Sequence, residues 1–206
     1  MKNLSVACLV CVSSFLFNSS SHAALMGWDN VKNATGNVGN IVTDGSLFDA
    51  VTMFSSDLTV NGVDFTGNAS SSGGAVTFGT SNISFNGVAS TQNYGSPAPS
   101  SWDSGYRDLV NNGAWHANGF NMVINNLTLG EEYLVQIWNP YWDSNWKTDY
   151  CTGTSCSGDV NHGVGSSAIS QYVTGSFIAD SSTQTIFAAP GSNSYGLPSS
   201  IQVRSQ

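Results

Sequence analysis

The chain has 206 residues, a formal net charge of −8 and only five Lys and Arg, too few cations to line a nucleic-acid groove or to hold a strongly anionic polysaccharide. Apolar residues at 40% and aromatics at 11% exclude a disordered chain. Gly, Ser, Asn and Thr fill much of the remainder, the composition of short strands joined by many turns, which leaves neutral glycans, cations and other proteins as partner classes.

The chain opens Met1-Lys2-Asn3, continues as an apolar run from Leu4 to Phe17, and passes into a polar stretch ending Ser21-His22-Ala23. A basic start, an apolar middle and a small-residue exit make a secretory signal. Residues 1–23 are therefore expected to be a signal peptide, cut after Ala23 or, nearly as well, after Ala24, and 24–206 a single β-sandwich domain. The apolar run is shorter than the ~20 residues a spanning helix needs, and Cys8 lies too near the start for a lipoprotein site. No later segment is long and apolar enough to cross a bilayer, so a secreted, extracellular protein without a membrane span is expected.

Beyond Ala24, a strand can cover Gly39 to Thr43, and Leu47 to Phe54 reads as the next. Leu58-Thr-Val-Asn61-Gly62-Val-Asp-Phe65 is the strongest local signal: Asn-Gly between β-branched and aromatic residues favours a type I′ hairpin turn, with one bulged strand as the alternative. Short alternating segments follow at Ala75–Phe78 and Ile83–Phe85, then an irregular region from Ser90 to Gly105 and a brief helix at Ser104–Val110, with Ser104 as its N-cap. Phe120–Ile124 is a strand. Tyr133–Trp138 is a strongly apolar one, expected at the centre of a sheet with Trp138 in the core. A loop of about thirty residues then runs from Asn139 to Ser170, long enough to expect a functional role. Gln171–Ala179, Thr183–Ala188 and Ser200–Arg204 are the last strands. Strands without alternating helices predict an all-β fold, an antiparallel two-sheet sandwich of jelly-roll type with long loops and at most one short helix.

Cys151 and Cys156 flank a Gly-containing turn in an exported chain, which predicts a disulfide stapling one loop; a metal pair is the rival reading, although zinc sites ordinarily need four ligands.

The segments Leu127-Thr-Leu-Gly130-Glu-Glu-Tyr133-Leu-Val-Gln136-Ile-Trp138, Gln171–Asp180, Thr183–Ile186 and Ile201–Arg204 resemble a broad group of exported bacterial β-sandwich proteins of the exosortase-sorted (PEP-CTERM-like) type, with a galactose-binding-like jelly roll. The resemblance covers the C-terminal third and implies the fold. It carries no site across. The final residues show no Pro-Glu-Pro motif, apolar span or basic tail, so free secretion is expected.

The densest chemical constellation is Trp138-Asn-Pro-Tyr141-Trp142-Asp143-Ser-Asn-Trp146-Lys147-Thr-Asp149-Tyr150. A sugar ring presents an apolar C–H face, which an indole covers, and a polar rim, which Asp, Asn or Lys can bind. Tyr141, Trp142, Asp143, Trp146 and Lys147 are the candidate ligand residues, joined by Trp102 from the other irregular region, where Tyr106 and Trp115 also lie. The leading expectation is a secreted carbohydrate-binding or surface-matrix module for a neutral polysaccharide or cell-surface glycan. The first alternative is a polysaccharide lyase or glycoside hydrolase. Its candidate acids are Glu131, Glu132, Asp143, Asp149 and Asp159, and Tyr106, Arg107, His116, Lys147 and His162 could serve a lyase if the long loops converge. The second is a self-assembling structural or adhesive protein. Oxygen-rich turns leave a structural Ca²⁺ open, with Asp44, Asp159 and Asp180 as candidate ligands. His116 and His162 show no ligand spacing and are expected in exposed loops.

Overall fold

The computed structural model describes residues 24–68, 72–94, 98–141, 146–162, 170–191 and 195–206, with only the backbone described at 72–76. In chain order its strands are β1 (Gly27–Trp28), β2 (Lys32–Asn33), β3 (Ser46–Thr52), β4 (Leu58–Val60), β5 (Val63–Gly67), β6 (Ser72–Gly79), β7 (Ile83–Asn93) and β8 (Asn112–Trp115). They continue as β9 (Phe120–Ile124), β10 (Glu132–Trp138), β11 (Lys147–Thr152), β12 (Ser155–Cys156), β13 (Val160–Asn161), β14 (Gln171–Ile178), β15 (Gln184–Pro190) and β16 (Ser200–Ser205). One α-helix, α1 (Ser104–Val110), and a 3-10 turn at Val38–Asn40 complete the described elements.

The strands form two sheets. The first has the order β1-β14-β10-β16-β3-β5-β4, with β2 also on β14; the second runs β12-β11-β15-β9-β7-β6, with β13 on β11 and β8 on β7. Pairing is antiparallel except between β3 and β5, which run parallel at Val51–Thr66 and Thr52–Gly67. From β9 onward the chain passes repeatedly between the sheets, β9 to β10 to β11 and then β14 to β15 to β16, the crossing pattern of jelly-roll sandwiches. The fold is thus the all-β two-sheet sandwich expected from the sequence.

Side-chain alternation divides β10 between two cores. Tyr133, Val135 and Ile137 pack between the sheets with Phe85, Met122 and Ile186. Trp138 belongs to a second cluster with Phe65, Tyr106, Leu109 and Tyr172, contributed by β5, α1 and β14. Its indole Nε1 donates to the Tyr106 hydroxyl at 3.1 Å, so the buried polar atom is satisfied. Covered on both faces and flanked by β14 and β16, β10 reads as a nearly continuous apolar run for a physical reason.

Asn61 and Gly62 take φ of 52° and 72° between antiparallel β4 and β5, the two positive-φ positions of a type I′ turn. One continuous bulged strand is thereby excluded. The helix forms where expected, but its N-cap is Asp103, whose carboxylate accepts from the Tyr106 amide at 3.1 Å. Cys151 and Cys156 are direct cross-strand partners in the β11–β12 hairpin, with sulfurs 2.09 Å apart, and Gly153 takes a φ of 56° in the turn.

Three expectations need correction. Residues Gly39 to Thr43 form no strand. They make the 3-10 turn and then a strap held by side chains of the first sheet. Gln136 donates to the Asn40 carbonyl at 2.6 Å and accepts from the Val42 amide at 3.0 Å. Gln202 donates to the Val42 carbonyl at 3.0 Å, and Arg204 reaches the carbonyls of Thr43, Asp44 and Gly45. The stretch from Asn139 to Ser170 is not one loop, because it contains β11, β12 and β13. The buried members of β11 are Thr148, Tyr150 and Thr152, whose hydroxyls disguise the inward-facing alternation. The irregular region after Ser90 is likewise shortened, since β7 continues to Asn93 and pairs with β8.

Candidate functional site

The long connections that follow β10 and β15 meet β8 at one end of the second sheet. The Trp146 ring, just ahead of β11, lies 4.7 Å from that of Tyr195 at 65°. Tyr195 in turn meets Trp115, the last residue of β8, at 5.4 Å and 82°. With Gln92 and Tyr94 these rings line a cleft of about 100 Å³.

Tyr195 is held from both sides. The Thr148 hydroxyl donates to the Tyr195 carbonyl at 3.1 Å and accepts from the Leu197 amide at 3.0 Å. Gly196 exchanges two backbone hydrogen bonds with His116, at 3.1 and 3.2 Å. A side chain at Gly196 would collide with the Ala188 carbonyl, since a Cβ there would come within 2.2 Å of it. His162 closes this arrangement, with Nε2 2.8 Å from the Thr148 hydroxyl. Because that hydroxyl gives its one proton to the Tyr195 carbonyl, the imidazole donates from Nε2. The expectation of an exposed His162 is wrong: it is fully buried. Burial holds its pKa at about 3, well below the ordinary imidazole value, so the ring is neutral.

Beside the cleft, alternation along β11 turns Lys147 and Asp149 away from the core. Lys147 pairs with Asp159 at 2.9 Å. The Asp149 carboxyl is raised above its usual range, first by burial and then by the Asp159 charge, while Lys147 opposes both. One oxygen of Asp149 is buried without a hydrogen bond.

The candidate residues divide accordingly. Trp146 lines the cleft and Lys147 flanks it. Trp102 and Tyr141 form a different group, their rings 5.4 Å apart edge to face, with Trp102 also 5.9 Å from Tyr106 and both half-buried against the second core. Trp102 covers the backbone of Gly36, where an added Cβ would sit 1.9 Å from the indole. Trp142 and Asp143 lie outside the described residues. The sequence reading noted Trp115 without linking it to Trp146, and it missed Gln92, Tyr94 and Tyr195. Tyr195 is the one aromatic residue of 191–199, and nothing in that segment signals its contact with Trp146.

Of the candidate catalytic residues, Lys147, Asp149 and Asp159 gather beside the cleft, and Glu131, Glu132, Tyr106 and His162 do not join them. Glu131 and Glu132 sit at the start of β10, about 20 Å along the strand from its Trp138 end. Tyr106 and His162 are both fully buried, in the second core and beneath Thr148 respectively. Among the described residues no group of three or more His, Cys, Asp or Glu is placed to hold a metal ion. Asp44 offers its carbonyl to Arg204, Asp159 pairs with Lys147, and Asp180 lies exposed after β14. No helix among the described residues is long and apolar enough to cross a membrane. No family model, curated protein or solved structure matches the chain.

Proposed function

We propose that this is a secreted, non-catalytic β-sandwich module that binds neutral glycan through the Trp146–Tyr195–Trp115 cleft. The observation carrying this reading is three aromatic rings brought together from separate parts of the chain, with Tyr195 fixed by backbone and side-chain hydrogen bonds. Rings fixed before binding lose little freedom on contact with a ligand. An apolar cavity of ~150 Å³ accepts a benzene ring, so an open cleft of about 100 Å³ suits one face or edge of a single sugar ring. Covering ~100 Å² of apolar surface contributes roughly 2.5 kcal/mol. Two such platforms bring Kd to about the millimolar range, typical of modules that work by avidity on a polymer.

Affinity electrophoresis through gels cast with neutral glucans, xylans, mannans and galactans tests the proposal. Retention is expected for the native protein and should disappear in Trp146→Ala and in Trp115→Ala, with far-UV circular dichroism unchanged. Unaltered retention in both variants removes the cleft from the account. Reducing-sugar release from the same polymers would replace binding with catalysis as its function.

A further inference from the structure

A second cavity, of about 320 Å³, is lined by Met53, Ser55, Thr91, Gln92, Asn93 and Asn112. Met53 directly follows β3 and packs in the core between the sheets, so the cavity opens where the first sheet meets the β7–β8 ribbon of the second. Thr91 pairs with Ala114 and Asn93 with Asn112. Since Ala114 is a core residue, this face of the ribbon points inward. Gln92 and Tyr94 alternate to the outer face, where the aromatic cleft lies. Gln92 borders both cavities.

The chemistry of the lining is specific. None of its residues ionises. Thr91 and Asn112 are 8% and 6% exposed, and the Thr91 hydroxyl and the Asn112 amide nitrogen make no hydrogen bond within the described protein. Buried polar groups without partners destabilise a fold unless water or a ligand meets them. A ligand hydroxyl can accept from Asn112 and exchange a hydrogen bond with Thr91 at once, while Met53 supplies an apolar floor. The volume lies within the usual range for small-molecule sites.

We infer that this cavity is a second ligand site, taking one neutral, hydroxyl-rich ring of the sugar class on the opposite face of the ribbon from the aromatic cleft. The choice of ligand class rests on the glycan-binding reading, whereas the site rests on its own residues. The test is a ¹H–¹⁵N correlation titration of the full mature protein with glucose, galactose, mannose and xylose and their β-linked di- to tetrasaccharides, with glucuronate as the charged counterpart. Side-chain amide signals of Asn112 and Asn93, which line the cavity alone, report the cavity; indole signals of Trp115 and Trp146 report the cleft. At least one neutral sugar should shift the Asn112 amide saturably, and glucuronate should not. Thr91→Val, nearly isosteric, should weaken that response about tenfold, and Asn112→Leu, which removes one of the two sensors, should weaken the Asn93 amide response to the same extent, both leaving the indole titration intact. Trp146→Ala should do the reverse. If Asn112→Leu does not fold, Thr91→Val carries the test. An Asn112 amide silent to every neutral sugar, or a response indifferent to Thr91→Val, overturns the inference. Indole shifts without amide shifts sink the cavity alone. Amide shifts without indole shifts sink the cleft alone. Silence from both sensors sinks both.

Discussion

His162 makes the stability of the fold, and of the aromatic cleft above it, depend on pH in a way that can be worked out. Its imidazole is fully buried and burial depresses its pKa to about 3, whereas in the unfolded chain it titrates near 6.5. For a base held neutral in the fold, the unfolded state binds the proton first. The contribution is therefore complete above about pH 6.5, declines as the pH falls from there towards 3, and is constant below. Between pH 7 and 4.5 the loss comes to about 2.5 kcal/mol, or about 5–10 °C in Tm for a domain of this size. The assay is urea denaturation across that pH range for the native protein and for His162→Gln, whose amide can still donate to the Thr148 hydroxyl but does not titrate. Carboxylates titrate alike in both proteins, so the difference between the two curves isolates the histidine. The native curve should fall more steeply by the stated amount, and the Trp146–Tyr195 fluorescence signature should weaken with it, because Thr148 holds the Tyr195–Leu197 backbone. Parallel curves would refute the reasoning.

Other outcomes follow from single contacts. Breaking the Cys151–Cys156 bridge by Ser substitution at both positions should lower stability by about 2 kcal/mol, because the closed loop is short, and a calorimetric Tm drop of about 4–8 °C would register it. Arg204→Met should cost roughly 3 kcal/mol in urea denaturation, since a charged donor to three strap carbonyls is lost. Gly36→Ala combines a positive φ of 72° with a collision against Trp102, so it should shift the indole emission to the red and destabilise by at least ~1 kcal/mol. An unchanged spectrum would show that Trp102 does not rest on that glycine.

The parts of the fold that were legible in the sequence are those where local chemistry and tertiary demand agree. Asn61-Gly62 needs positive φ at both positions whatever surrounds it, and Tyr133–Trp138 is apolar because both its faces are covered. What was hidden was hidden by polar residues in buried places. The inward side of β11 is Thr148, Tyr150 and Thr152, so apolar alternation could not reveal it. The strap from Asn40 to Gly45 is fixed by Gln136, Gln202 and Arg204, residues that ordinarily face water and here supply hydrogen bonds in place of a neighbouring strand. The candidate site was half legible. Trp146 stands out in any reading of its segment, but its neighbours Tyr94, Trp115 and Tyr195 join it only through the pairing of β7 with β8 and the bridge between His116 and Gly196. Trp102 looked equivalent from composition, yet it was placed elsewhere by its contact with Gly36.

The position of β16 has a consequence for the order in which the fold can close. The final strand lies between β10 and β3 and is the antiparallel neighbour of both, so it is the keystone of the first sheet. Residues up to Pro190 alone supply the two flanks of that sheet without the piece that joins them, so its completion waits until residues 200–205 can pair.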